Sequence, residues 1–161
     1  MEMILNDIGF TAYDQYKLAN IFGVVVPLDY KIKAVTNITE SQNEAEFGAH
    51  IDIDSIKGFF LDNNIPLNIS FVPSNPYGEY PDNRGGYLIY ALSYGSLYRC
   101  PEKIRIGHAV LKTASGRGNN IYIYDPGPKD AGIKIMSKFD IYDAMYDIRG
   151  GMYVFERTDV I

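Results

Sequence analysis

The stretch that decides the fold of this chain is residues 107–128, which read GHAVLKTASGRGNNIYIYDPGP. Its first part is an apolar run that begins beside His108, and its last part alternates aromatic and aliphatic residues up to Asp125. The segment between them is rich in glycine and asparagine, which is typical of a tight turn. The pattern predicts an antiparallel hairpin of strands 106–113 and 120–124, and strand 152–156 is expected in the same sheet.

Such a hairpin brings His108 and Asp125 together. Antiparallel pairing places the start of the first strand beside the end of the second, so we expect an imidazole–carboxylate hydrogen bond of about 2.6–3.2 Å. A histidine oriented by a carboxylate is the general-base half of a nucleophilic triad. The nearby negative charge also predicts a raised pKa for His108. The other histidine, His50, has no partner suggested by its spacing and is expected to be structural.

The remaining pattern places helices before an antiparallel sheet, which is the α+β arrangement. The further predicted elements are a helix over 10–22 with Thr11 as N-cap and Gly23 as stop, a helix over 54–63, a strand over 65–72, a loop over 73–86, a short helix over 87–94, a strand over 96–99 and a helix over 137–145. Six tyrosines between positions 77 and 98 surround the predicted loop, as packing residues or as a partner surface.

Composition excludes several classes of function. The chain has 161 residues, of which 47% are hydrophobic and 22% charged, so we expect a single domain over 1–161. A net charge of -5 without a basic cluster argues against nucleic-acid and membrane partners. No signal peptide or long apolar run is evident, so a cytoplasmic location is expected. The single cysteine, Cys100, cannot form an internal disulfide or a thiolate metal site, and no cofactor or metal is expected.

The order of these motifs resembles that of papain-like cysteine peptidases. Gly-His-Ala-Val at 107–110 and Asp-Pro-Gly-Pro at 125–128 are similar to the second half of the bacteriocin-processing (double-glycine leader) peptidases and related bacterial proteins. The predicted helix ending in Ile21-Phe22-Gly23, with Asn6 upstream, is similar to the first half of that family. The resemblance covers roughly residues 4–157.

This resemblance implies an α+β papain-like fold in which N-terminal helices pack on an antiparallel sheet. It also implies that His108 and Asp125 are the remnants of a catalytic triad and that Asn6 is a remnant of the oxyanion hole.

The chain departs from the family at the nucleophile. No cysteine occurs before Cys100, and the expected position falls on Phe10, or on Ile8 in an alternative alignment. Neither side chain can attack a carbonyl carbon. Thr11 is a neighbouring hydroxyl whose role as a helix N-cap accounts for it. Cys100 precedes a proline rather than a helix N-terminus, where a thiolate would be stabilised.

Three functions remain open on this basis. We expect a degenerate peptidase, rather than an enzyme, that binds a peptide or protein in the old cleft, with residues 8–12 at the nucleophile position. The alternative is an active cysteine peptidase, amide hydrolase or acyltransferase that uses Cys100 or Thr11, or whose cysteine has been replaced by substitution. The third is a structural component that reuses the fold, for example in a phage or a secretion system.

Overall fold

The computed structural model describes residues 1–30, 32–49, 51–78, 80, 86–127 and 131–159. His50, Pro128 and much of the predicted loop 73–86 lie outside the described residues. The chain forms two compact units, Met1–Ile65 and Pro66–Ile161, and each is described by itself.

The first unit combines short helices with a pair of strands. Its elements are α1 (Glu2–Asp7), α2 (Gln15–Phe22), β1 (Val24–Pro27), β2 (Ile38–Ser41), a 3₁₀ turn (Glu44–Glu46) and α3 (Ile53–Asp62). Strands β1 and β2 pair in parallel. An edge-to-face cluster of Tyr13, Phe22 and Phe59 packs α2 against α3, with ring centroids 5.0 and 5.3 Å apart.

The prediction that a helix begins near Phe10 with Thr11 as its N-cap is wrong. The helix begins at Gln15 because Asp14 is the N-cap, and its carboxylate accepts a hydrogen bond from the Lys17 backbone N–H at 2.8 Å. Its predicted end is confirmed, since Gly23 terminates α2 with φ 82°.

The second unit contains an antiparallel sheet. Its elements are β3 (Leu67–Pro73), β4 (Gly86–Ser93), α4 (Tyr94–Tyr98), a 3₁₀ turn (Pro101–Lys103), β5 (Gly107–Ser115), β6 (Asn120–Asp125), β7 (Gly132–Ser137), α5 (Lys138–Asp147) and β8 (Gly151–Arg157). Within the described residues the sheet has six strands in the order β3-β8-β4-β5-β6-β7. The predicted hairpin is confirmed as β5 and β6, and β8 belongs to the same sheet. These features establish the α+β class.

The prediction of a short helix over 87–94 is wrong, because this segment is β4 and the helix follows it. Leu88, Tyr90 and Leu92 are buried and share one face of the strand. Ser93 then caps α4 through its hydroxyl, which accepts the backbone N–H of Ser96 at 3.1 Å. The predicted strand over 96–99 is accordingly also wrong.

The core of the second unit lies between the sheet and helices α4 and α5. Its buried members are Leu88, Tyr90, Leu92, Leu97, Val110, Ile121, Ile123, Ile141, Ala144, Met145, Met152 and Val154. As predicted, Ser137 caps α5, and its hydroxyl accepts the Phe139 backbone N–H at 3.2 Å. The helix continues past Met145 to Asp147.

Strand β7 lies at one edge of the sheet. Ile133 and Ile135 on this strand are 69% and 58% exposed. Lys134 lies between them in sequence and therefore on the opposite face, where it is paired with Ile123 of β6. The edge strand thus presents isoleucines to solvent and a lysine to the core side.

Candidate functional site

The candidate site is built where β5 begins and β6 ends. Lys112 pairs with Ile123 across these strands, so His108 and Asp125, an even number of residues from that pair, lie on the same face. This is the face that carries buried Val110 and Ile123. The hairpin therefore directs both polar side chains towards the core side of the sheet.

His108 and Asp125 are hydrogen-bonded. The distance from Nε2 of His108 to Oδ1 of Asp125 is 2.8 Å, within the predicted range. Asp125 is fully buried, and the side chain of His108 is 15% exposed. The backbone N–H of Gly127 also donates to Oδ1 of Asp125, at 2.7 Å. A Cβ atom at Gly127 would lie 2.9 Å from the same oxygen, so the turn after β6 requires glycine for this contact.

Two further residues, Tyr98 and Lys134, bind the other oxygen of Asp125. The hydroxyl of Tyr98 donates a hydrogen bond to Oδ2. Nζ of Lys134 lies 3.3 Å from Oδ2 and donates to the hydroxyl of Tyr98 at 3.0 Å. Asp125 consequently receives four donors, which offsets the cost of burying its carboxylate.

Sequence reasoning did not identify Tyr98 or Lys134 as part of the site. Tyr98 lies in a segment that was predicted as a strand and is helical, which changes the direction of its side chain. Lys134 could have been identified from the sequence, because it is the charged residue in the otherwise apolar run Ile133-Lys134-Ile135-Met136. A charge at an inward strand position indicates a buried partner.

Two aromatic rings of α4 contact the imidazole of His108. The ring of Tyr94 meets it edge-on, with centroids 5.4 Å apart and an interplanar angle of 84°. The Tyr98 ring centroid is 6.3 Å away. Nζ of Lys134 lies 4.4 Å from the centroid of the Tyr98 ring, a cation–π contact. The two tyrosines therefore restrict the imidazole while the carboxylate orients it.

The predicted rise in the pKa of His108 is wrong. Burial lowers the pKa of His108 below its usual value, because an imidazolium would lose hydration, and the positive charge of Lys134 lowers it further. The sequence-based prediction considered Asp125 alone and left out both the burial of the ring and the charge of Lys134. The site favours a neutral histidine.

Cys100 lies at the N-cap of the short 3₁₀ turn Pro101–Lys103 and is partly exposed. Its thiol contacts the carbonyl oxygen of Tyr98 at 3.5 Å. Within the described residues of the second unit, the structure brings together His108 and Asp125 and shows no hydrogen bond from Cys100 to either.

The other predicted site residues belong to the first unit. Asn6 lies in α1, and Ile8 is the C-cap residue of that helix. Phe10 and Thr11 lie in the connection between α1 and α2, where the Phe10 backbone N–H donates to the Leu5 carbonyl oxygen at 2.8 Å. None of them stands at the first turn of α2.

In the described ranges there is no group of three or more His, Cys, Asp or Glu side chains that would suit a metal ion. Among those same residues, no helix is both long enough and apolar enough to cross a membrane.

Compared with known proteins, the chain matches no protein-family model and no curated protein.

Proposed function

We propose that this chain is a papain-like domain that has lost its nucleophile and binds a peptide or protein at His108. The α+β class and the His108–Asp125 pair support the papain-like assignment. The observation that carries the proposal is the orientation of the imidazole, in which Nε2 is bound to a buried carboxylate and Nδ1 has no hydrogen-bond partner among the described residues of its unit.

The hydrogen-bond pattern determines which nitrogen of His108 carries the proton. Both oxygens of Asp125 are engaged by donors, so Nε2 must donate to Oδ1. Since the low pKa favours the neutral ring, Nδ1 then holds a lone pair. This lone pair can accept a hydrogen bond from a peptide N–H or from a hydroxyl group.

Loss of the nucleophile favours binding over catalysis. No cysteine precedes Cys100 in the sequence. The thiol of Cys100 contacts the carbonyl oxygen of Tyr98. Without a nucleophile the pair can polarise water at best, and loss of a triad member costs on the order of 10⁴ to 10⁶ in rate. A retained histidine with an open acceptor is suited to ligand recognition.

A synthetic peptide ending in Gly-Gly tests the proposal, with an Ala-Ala ending as its control. The ring ¹⁵N signals of His108 are followed by NMR. We expect the Gly-Gly peptide to shift the Nδ1 signal and to move the titration midpoint to lower pH, because a donor at Nδ1 stabilises the neutral ring. We expect no cleavage, and no rapid labelling of Cys100 near neutral pH.

Other outcomes identify the alternatives. Cleavage that Cys100→Ala abolishes would replace the proposal with an active cysteine enzyme. If neither peptide changes the ring signals and light scattering shows a stable oligomer, the structural-component function is supported instead.

A further inference from the structure

A pocket lies in the sheet unit between the outer face of α5 and residues 75–78. Its volume is about 220 Å³, and four of its lining residues are aromatic. We call it the aromatic pocket, and define it by Tyr77, Phe139, Tyr142, Asp143 and Tyr146. It contains none of the residues around His108.

The sequence of α5 explains why three of these rings lie together. Phe139, Tyr142 and Tyr146 are spaced three and four residues apart, so they form one stripe on the helix surface. This stripe lies beside the buried positions Ile141 and Met145, and its middle ring, Tyr142, is partly buried against the core. The helix therefore has an apolar inner face and an aromatic outer face.

The fourth ring comes from a different segment, which is fixed by a turn. The side-chain oxygen of Asn75 accepts the backbone N–H of Tyr77 at 3.0 Å, and Gly78 adopts φ 62°. The ring of Tyr142 is anchored against Tyr80, with centroids 4.4 Å apart. A Cβ atom at Gly78 would lie 3.3 Å from the Tyr142 ring, so the turn packs closely on the helix.

The rings of the aromatic pocket remain largely open to solvent. Tyr77 is 84% exposed, Phe139 is 59% and Tyr146 is 51%. The two cation–π contacts found among the described residues involve Tyr94 and Tyr98 instead. Among the described residues, therefore, no lysine or arginine occupies the faces of the Tyr77, Phe139 and Tyr146 rings.

The charge around the aromatic pocket is negative. Asp143 is part of the lining and is exposed, and no lysine or arginine among the described residues pairs with it. Asp143 is the charged residue among the described residues of this lining, and the chain as a whole carries a net charge of -5. A cationic ligand is therefore favoured over a neutral or anionic one.

We propose that the aromatic pocket binds a small, free quaternary ammonium compound of the choline type. Aromatic faces with a nearby carboxylate recognise such cations, which have no N–H groups to satisfy. A lysine ammonium needs acceptors for three donors, whereas Asp143 is the one carboxylate among the described residues of the lining. A volume of about 220 Å³ is below the range of about 300–1,000 Å³ for drug-sized ligands, which fits a head group.

Choline titrated into the full chain by calorimetry and NMR tests this proposal, with 3,3-dimethylbutan-1-ol as a neutral compound of the same shape. We expect choline to bind in the millimolar range and the neutral compound at least about tenfold more weakly, because ring faces attract the charge. Tyr77→Ala and Tyr146→Ala should each weaken binding about three- to tenfold, and Tyr146→Phe should retain it. Tyr16→Ala, at an exposed tyrosine of α2, is the control and should leave binding unchanged.

Several results would overturn the proposal. Equal affinity for choline and the neutral compound would show that charge is not recognised. Unchanged affinity in Tyr77→Ala, an exposed position whose loss does not threaten the fold, would place the site elsewhere. Tighter binding of N-acetyl-lysine methylamide would identify a peptide side chain as the ligand, and binding to phosphatidylcholine vesicles without binding to choline would identify a lipid surface. Because His108 is not involved, these outcomes are independent of the peptide-binding proposal.

Discussion

Replacing Lys134 with glutamine tests the charge balance around the buried carboxylate. Lys134 lies 3.3 Å from Oδ2 of Asp125, which is fully buried, so its removal leaves the carboxylate without its permanent cationic partner. Breaking a fully buried pair costs about 3–5 kcal/mol, and Lys134 is 24% exposed, which lets water replace part of the interaction. The glutamine amide also retains a donor. We therefore expect the free energy of unfolding to fall by about 2 kcal/mol near pH 8.

The effect should depend on pH in a defined direction. In the native protein the pKa of His108 is lowered, so the unfolded chain takes up a proton first and stability decreases as pH falls below about 6.5. Without Lys134 the imidazolium can act as the cation beside Asp125, and the pKa of His108 should rise. The variant should then lose less stability on acidification. The difference in the free energy of unfolding between the native protein and the variant should therefore narrow towards about pH 5.5.

Urea denaturation of the native protein and of Lys134→Gln, near pH 8 and at about pH 5.5, measures the difference between their free energies of unfolding. Lys112→Gln is the matched control, because Lys112 and Lys134 both pair with Ile123 on neighbouring strands. Lys112 forms no ion pair with the described residues, so its substitution should change stability by less than about 0.5 kcal/mol at either pH. A gap that stays constant or widens at low pH would refute the coupling between Lys134 and His108.

One more substitution examines the turn after β6. Gly127→Ala places a Cβ atom 2.9 Å from Oδ1 of Asp125, so we expect a loss of about 1–3 kcal/mol in the free energy of unfolding and altered ring ¹⁵N signals of His108. Unaltered signals would show that the turn does not position the pair.

The hairpin and its polar pair were predictable because their signals are local. Alternation over 120–125 and the Gly/Asn-rich turn specify two paired strands, and pairing alone brings His108 to Asp125. Strand β4 was misassigned because it lies between β8 and β5, where residues 87–92 are apolar or aromatic throughout and show no alternation.

The electrostatics of the site could not be predicted because the determining contacts join different elements. Tyr98 reaches Asp125 from 27 positions earlier, and Lys134 reaches Tyr98 from 36 positions later. A prediction from Asp125 alone gave the wrong direction for the pKa of His108, because burial of the ring lowers this pKa and the charge of Lys134 lowers it further. The start of α2 was missed for a simpler reason: Thr11 and Asp14 both suit an N-cap, and aspartate, the stronger of the two, is the one that the helix uses.

The position of Lys134 on the edge strand also bears on aggregation. An edge strand exposes unpaired backbone groups, and the exposed Ile133 and Ile135 of β7 would favour pairing with a strand of another molecule. A charged side chain that points inward from an edge opposes such pairing, because an added strand would bury it further. The ion pair that neutralises Asp125 therefore also protects the open edge of the sheet against intermolecular strand addition.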